Sequence, residues 1–169
     1  RGTPNSWAPA SADEELGLIF MPMGNATPDY WGAHRSEQSE KYASSITALN
    51  GETGEPVWSF QTVHHDVWDY DVGSPPTLVD LEIDGETVPA LLQPTKEGQI
   101  YLLDRRTGTP LAEVEERPVP QGAAPGDYLS PTQPFSVGMP DFENKLLTEA
   151  DMWGVTPIDQ LYCRLKFLQ

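Results

Sequence analysis

Apolar residues along this chain come in short runs, at 16–21, 45–49, 57–60, 77–79, 88–92 and 99–103, each bounded by Gly, Pro, Asn or Asp. That pattern predicts β-strands, and no apolar stripe of 3.6-residue period and helical length competes with it before residue 140. Asp84-Gly85 between two such runs predicts a tight hairpin, because a type I′ turn needs positive φ at both central residues. Thr148-Glu149-Ala150-Asp151 predicts a short helix start, with Thr148 as N-cap and Asp151 three residues on. From Pro157 onward the pattern assigns no element.

The strands repeat. Ile46-Thr47-Ala48-Leu49-Asn50-Gly51-Glu52-Thr53-Gly54 aligns with Ile100-Tyr101-Leu102-Leu103-Asp104-Arg105-Arg106-Thr107-Gly108, a spacing of 54 residues. Both copies read strand, Asx, polar turn, Thr-Gly, next strand. A period of that order suits propeller blades, each a four-stranded sheet that cannot bury both faces alone. Two independent hairpins with the same Asx-x-x-Thr-Gly turn chemistry would give the same pattern. Trp58 follows the first copy by four residues, whereas Ala112 stands at the matching place after the second. Segment 112–145 is rich in Pro and polar residues and is expected to be one long connection.

Composition narrows the class. Ten Lys+Arg against 26 Asp+Glu give a formal charge of −16, the opposite of a nucleic-acid binder's basic footprint. Five Trp, six Tyr and five Phe argue equally against an acidic disordered segment. Gly (14) and Pro (17) fit many short strands joined by turns. No run is long and apolar enough to span a membrane, and no signal-peptide pattern is present. Cys163 is the single cysteine, so no internal disulfide is expected. The chain opens without Met and ends on Arg164-Leu165-Lys166-Phe167-Leu168-Gln169, and is expected to be a piece of a longer protein.

The densest chemistry is His64-His65-Asp66-Val67-Trp68-Asp69-Tyr70-Asp71. Three carboxylates and two imidazoles in eight residues suit a metal or a general base, and equally a solvated acidic loop anchored by aromatics. If the segment is an extended strand, Asp69 and Asp71 share one face. Gly24-Asn25-Ala26-Thr27-Pro28-Asp29 follows a strand end, where Asn25 and Thr27 oxygens suit a hard cation or a ligand edge, or form an ordinary turn. Trp7 is a stacking surface or a core residue, and Lys96 is a site cation or a surface charge ahead of strand 99–103. Dinucleotide, Walker, nucleophile-elbow and His-Glu-x-x-His motifs are absent.

Taken together, Thr3-Pro4-Asn5-Ser6-Trp7, Gly24-Asn25-Ala26-Thr27-Pro28-Asp29-Tyr30-Trp31-Gly32, Thr62-Val63-His64-His65-Asp66-Val67-Trp68-Asp69-Tyr70-Asp71 and Gln93-Pro94-Thr95-Lys96-Glu97-Gly98 resemble the quinoprotein dehydrogenases that use pyrroloquinoline quinone (PQQ). Ser130-Pro131-Thr132-Gln133-Pro134-Phe135 and Ala150-Asp151-Met152-Trp153-Gly154 narrow the resemblance to the membrane-bound glucose dehydrogenase branch, with its quinate and polyol relatives.

That resemblance implies an all-β fold, with this chain supplying about three blades' worth of an eight-bladed β-propeller. It implies Trp7 as the floor under PQQ, Thr27 near the cofactor, Asn25 and Asp69 at a divalent cation (Mg²⁺ or Ca²⁺), Asp69 as catalytic base and Lys96 beside the quinone oxygens. It further implies a sugar or polyol substrate, D-glucose foremost, ubiquinone as electron acceptor, and a parent protein at the periplasmic face of the bacterial inner membrane. It leaves His64, His65 and Asp71 without a role. Alone, the chain is expected to have no dehydrogenase activity, because its propeller is not closed. A non-catalytic propeller scaffold is the competing class; it needs neither a Trp floor nor an Asp/Lys pair.

Overall fold

The computed structural model describes residues 4–142 and 147–169. Arg1–Thr3, including the first residue of the Thr3-Pro4-Asn5 motif, and 143–146 of the expected connection lie outside the described residues.

The expected strands form, and β1 (Ser11–Asp13), which no apolar run announced, joins them. β1, β2 (Leu18–Met23), β3 (Ser45–Asn50) and β4 (Pro56–Gln61) make a four-stranded antiparallel meander in chain order. β5 (Thr77–Ile83), β6 (Glu86–Pro94) and β7 (Ile100–Asp104) make a second meander, which a single bridge from Leu103 to Pro110 extends toward a fourth position. Asp84 and Gly85 turn the β5–β6 hairpin with φ of 53° and 84°, as the Asp-Gly dipeptide requires. These are the strand meanders of a β-propeller.

The 54-residue repeat is structural. It covers the third strand of each meander and the turn after it. Gly54 N–H donates to the Asn50 carbonyl and Gly108 N–H to the Asp104 carbonyl, each at 2.8 Å, and both glycines have φ 73°. Asn50 Oδ1 accepts from the Glu52 and Thr53 amides, and Asp104 Oδ1 from the Arg106 amide. The Asx residue is therefore used because its side chain satisfies turn N–H groups that the strand ladder cannot reach.

The core lies where the two meanders meet. Phe20, Ile46 and Ala48 of the first and Leu91, Tyr101 and Leu103 of the second are buried together, with Trp58 and Phe60 packed against them. Phe60 and Tyr101 join the sheets at 5.1 Å between ring centroids. Trp58 reaches across the seam: its Nε1 donates to the Arg105 carbonyl at 3.0 Å, and its ring lies where a Cβ on Gly108 would stand, 2.6 Å away. Only glycine fits that close approach. Arg105 then ties the sheets electrostatically, with Asp13 at 3.0 Å and Asp80 at 2.8 Å.

Two expectations change. A short helix, α1 (Glu37–Tyr42), precedes residue 140; its composition, Glu-Gln-Ser-Glu-Lys-Tyr, carries no apolar stripe, and Ser36 caps it by accepting from the Ser39 amide. The Pro-rich segment expected as one connection contains β8 (Val114–Pro118) and β9 (Thr132–Ser136), which pair antiparallel. Their prolines hid them: Pro118 ends β8, and Pro134 stands in a two-stranded ribbon where one N–H is dispensable. Of the two readings left open for the segment around Asp69, the irregular loop is the one that forms, so Asp69 and Asp71 do not alternate with Tyr70 across a pleat. At the end of the chain, Thr148 and Asp151 form the expected capping box on a single 3₁₀ turn, and α2 (Pro157–Phe167) starts with a second box between Thr156 and Asp159. Among the described residues no helix is long and apolar enough to cross a membrane.

Candidate functional site

Loop 62–76 leaves β4, crosses the end of the first meander and enters β5, and hydrogen bonds hold its backbone at many points. The Gln133 side chain brackets His64, accepting from its amide and donating to its carbonyl, each at 2.7 Å. The His64 ring contacts Gln61 and Glu116 at 3.0 Å. His65 is buried between two acids, with Nδ1 3.0 Å from Glu40 and Nε2 2.9 Å from Asp127, and its ring stacks on Tyr128 at 3.7 Å. Arg35, with its side chain enclosed, donates to the carbonyls of Asp66 and Pro28. The β8–β9 ribbon and its connecting loop thus clamp the acidic loop from outside.

Four of the five site residues expected from sequence are brought together. Lys96, in the turn between β6 and β7, donates to the Asp69 carbonyl at 2.5 Å and to its carboxylate at 3.2 Å, and stands 3.9 Å from Asp71. Asp71 in turn accepts from Trp7 Nε1 at 3.3 Å and from the Asn25 amide at 2.5 Å. Asp71, for which the sequence offered no role, is therefore the hub joining Trp7, Asn25 and Lys96. Gly24 makes this possible, since a Cβ there would lie 2.7 Å from Asp71 Oδ1. Thr27 is exposed beside the group, and no hydrogen bond ties it to the others.

Electrostatics keep Lys96 charged. Its limited burial works against the ammonium, but the Asp69 hydrogen bond and the fields of Asp69, Asp71 and Asp66 outweigh that and raise its pKa above the ordinary lysine value. Asp66 is the opposite case: burial pushes its carboxyl up, and hydrogen bonds from Ser44, Trp68 and Tyr70 and the Arg35 charge only partly offset it.

The chemistry can be tested against a flat quinone and a cation. Trp7 is 60% exposed, although its indole edge is pinned to Asp71 and its ring packs against Gly73, where a Cβ would sit 2.8 Å away. A large aromatic face held rigid yet open is what a planar ligand needs. The nearby donors are all oxygens, from Asp69, Asp71 and Asn25, which suits a hard divalent cation. Asn25 is fully buried, donates to the Asp29 and Asp66 carbonyls and accepts from the Ala26 amide, so one oxygen lone pair remains. Among the described residues no three acidic, His or Cys side chains form a metal cluster, so the chain alone offers only part of a coordination shell. Both groups fit the residues present.

A separate cleft of about 640 Å³ is lined by Trp68 and Tyr70 on either side of Asp69, by Glu97 next to Lys96, and by Val63, Gln99 and Phe135. Trp7, Asn25 and Thr27 do not line it.

The missed contributors were Glu40, Arg35, Asp127 and the role of Asp71. The His-His-Asp run pointed to the place, but partners 25 to 62 residues away in sequence carry no local signal.

Comparison with known proteins gives the chain its relatives. The chain is 57% identical over 169 residues to the glycerol dehydrogenase large subunit of Gluconobacter thailandicus, covering 99% of this chain and 23% of that protein. It is 53% identical to the quinoprotein glucose dehydrogenase of Escherichia coli K12 (99% of this chain, 21% of that protein) and 47% identical to the quinate/shikimate dehydrogenase (quinone) of Acinetobacter baylyi (99% and 21%). The chain thus spans less than a quarter of the length of these relatives. Among solved structures, a quinohemoprotein alcohol dehydrogenase from Pseudomonas putida HK5 superposes with a TM-score of 0.59 at 35% identity, over 71% of this chain and 17% of that one. That of Comamonas testosteroni gives 0.60 at 28% identity, over 80% and 20%. Residues 1–169 match the PQQ glucose/ethanol/alcohol dehydrogenase β-propeller domain family, and the chain belongs to it.

Proposed function

We propose that this chain is the catalytic sector of a longer PQQ-dependent dehydrogenase that oxidises a CH–OH group of a sugar or polyol. The observation that carries this is the continuous contact from Trp7 through Asp71 to Lys96 and Asp69, which sets an open aromatic face, a cation and a carboxylate beside one another. Removing hydrogen from an alcohol carbon requires a base for the hydroxyl proton and an acceptor for the hydride. The Asp69 carboxylate takes the proton; it is half-buried and reachable. The Lys96 ammonium stays charged and supplies positive potential where negative charge builds on the acceptor. Trp7 provides the floor, Asp71 holds it by its indole N–H, Thr27 borders the cofactor, and Asn25 and Asp69 offer oxygens to Mg²⁺ or Ca²⁺. When bound, PQQ supplies the hydride acceptor and the cation polarises it.

The relatives named for glycerol, glucose and quinate are 57%, 53% and 47% identical, which supports a polyhydroxy substrate class. Within it, our specific reading is D-glucose oxidised to gluconolactone, with electrons passed to ubiquinone at the periplasmic face of the inner membrane. The test is dye-linked oxidation of glucose, glycerol and quinate by the full-length protein with PQQ and Mg²⁺ or Ca²⁺. Asp69→Asn should abolish turnover and leave folding intact. The 169-residue chain by itself should show none. Undiminished turnover in Asp69→Asn refutes the base assignment, and absence of turnover in the loaded full-length protein favours a scaffold.

A further inference from the structure

Asp66 is 1% exposed, and the mechanism above does not use it. Its contacts converge on the residues that the mechanism does use. Oδ1 accepts the Trp68 amide at 2.9 Å and Oδ2 the Tyr70 amide at 2.8 Å, the two N–H groups that flank Asp69. Asp69 itself has φ 64°, in the left-handed region that residues other than glycine seldom occupy. A carboxylate gripping the amide on each side makes that conformation the local minimum. The Ser44 hydroxyl donates to Oδ2 at 2.5 Å and fixes the carboxylate in turn. The main chain of the same residue reaches the other loop of the site: the Asp66 carbonyl accepts from Asn25 Nδ2 at 3.0 Å and from Arg35 at 2.6 Å.

We propose that Asp66 is the positioning residue of this site, its carboxylate setting the backbone turn that aims Asp69 and its carbonyl setting the Asn25 amide. The inference rests on Asp69 being the base. Both carboxylate oxygens are needed. An asparagine here offers one acceptor and turns an NH₂ toward the other amide, so one of the two flanking N–H groups meets a donor and the turn loosens. Misplacement of a catalytic group by about 1 Å costs on the order of a hundredfold in rate.

The test compares Asp66→Asn, Ser44→Ala and Asp69→Asn in the full-length protein. In the cofactor-free form, amide hydrogen exchange at Trp68 and Tyr70 reports the turn directly, without turnover. Asp66→Asn should speed exchange at those two amides by about tenfold or more while core strand amides keep their protection, because only the local acceptor is lost. With PQQ and metal added, its kcat should fall about 10- to 100-fold, as for other supporting hydrogen bonds, with KM and bound PQQ unchanged. Native exchange at Trp68 and Tyr70, or native kcat, overturns the proposal. If Asp66→Asn does not fold, Ser44→Ala decides: it should speed exchange at Tyr70 and lower kcat, and no change in either overturns the proposal. Full turnover in Asp69→Asn refutes the base assignment instead, so the two failures are separable.

Discussion

The clamp on the acidic loop gives the sharpest quantitative expectation. Asp127 sits in the connection between β8 and β9, far in sequence from its partners, and its side chain is 2% exposed. One oxygen accepts the Gly32 amide at 2.7 Å; the other is 2.9 Å from His65 Nε2 and accepts the Tyr128 amide at 2.9 Å. Asp127→Ala deletes the acceptor for both long-range donors. A hydrogen bond to a charged group contributes about 1.5–3 kcal/mol, so the two that cross to Gly32 and His65 are together worth about 3–6 kcal/mol. The local Tyr128 contact adds nothing to docking. The β8–β9 connection is expected to open independently of the meanders, to which these contacts and the His65–Tyr128 stack join it. A loss of about 3 kcal/mol then raises its open population by about a hundredfold, at 1.4 kcal/mol per decade. Limited proteolysis within residues 120–131 of the full-length protein reads this directly, because cleavage tracks the open population when closing is fast. A cleavage rate within threefold of native would show that the ribbon is held by something other than Asp127.

Further expectations follow from the same geometry. Trp58→Ala removes a seam-spanning ring 5.7 Å from Phe20 and its bond to Arg105, and should destabilise by about 3–5 kcal/mol, seen as a lower urea midpoint. Lys96→Met should lower kcat by about a hundred- to a thousandfold, the usual loss for a group stabilising developing charge, and Lys96→Arg should restore part of it; an unaffected kcat in Lys96→Met removes Lys96 from the chemistry. Burial alone would raise the Asp127 pKa, but the Gly32 and Tyr128 amides and His65 outweigh burial and hold it below its ordinary 3.8. The open loop therefore takes up a proton before the closed one as pH falls. The stabilisation is complete above that ordinary value and lost as pH drops through the lower folded value. Protease sensitivity of 120–131 should rise below about pH 4, and Asp127→Asn should remove that rise.

Strands announced themselves through apolar runs closed by Gly, Pro and Asx, and the Asx-x-x-Thr-Gly repeat located the same turn in both meanders. β8 and β9 were illegible because their prolines mimic a linker, and α1 because a short polar helix depends on its Ser36 cap rather than on periodicity. The acidic loop stood out by composition, but its backbone path did not: Asp69 takes positive φ because the Asp66 carboxylate holds the amides beside it.

By itself, then, the sequence determined strands β2 to β7, their turns, the acidic loop and the candidate residues Trp7, Asn25, Thr27, Asp69 and Lys96, since these rest on local propensity and on motifs contiguous in the chain. The tertiary structure alone decided that Asp71 is the hub, that Asp66 grips the turn at Asp69, and that Glu40 and Asp127 enclose His65. Those are meetings of groups up to 64 residues apart, and hydrogen bonds of about 3 Å form only once packing has removed the water between them.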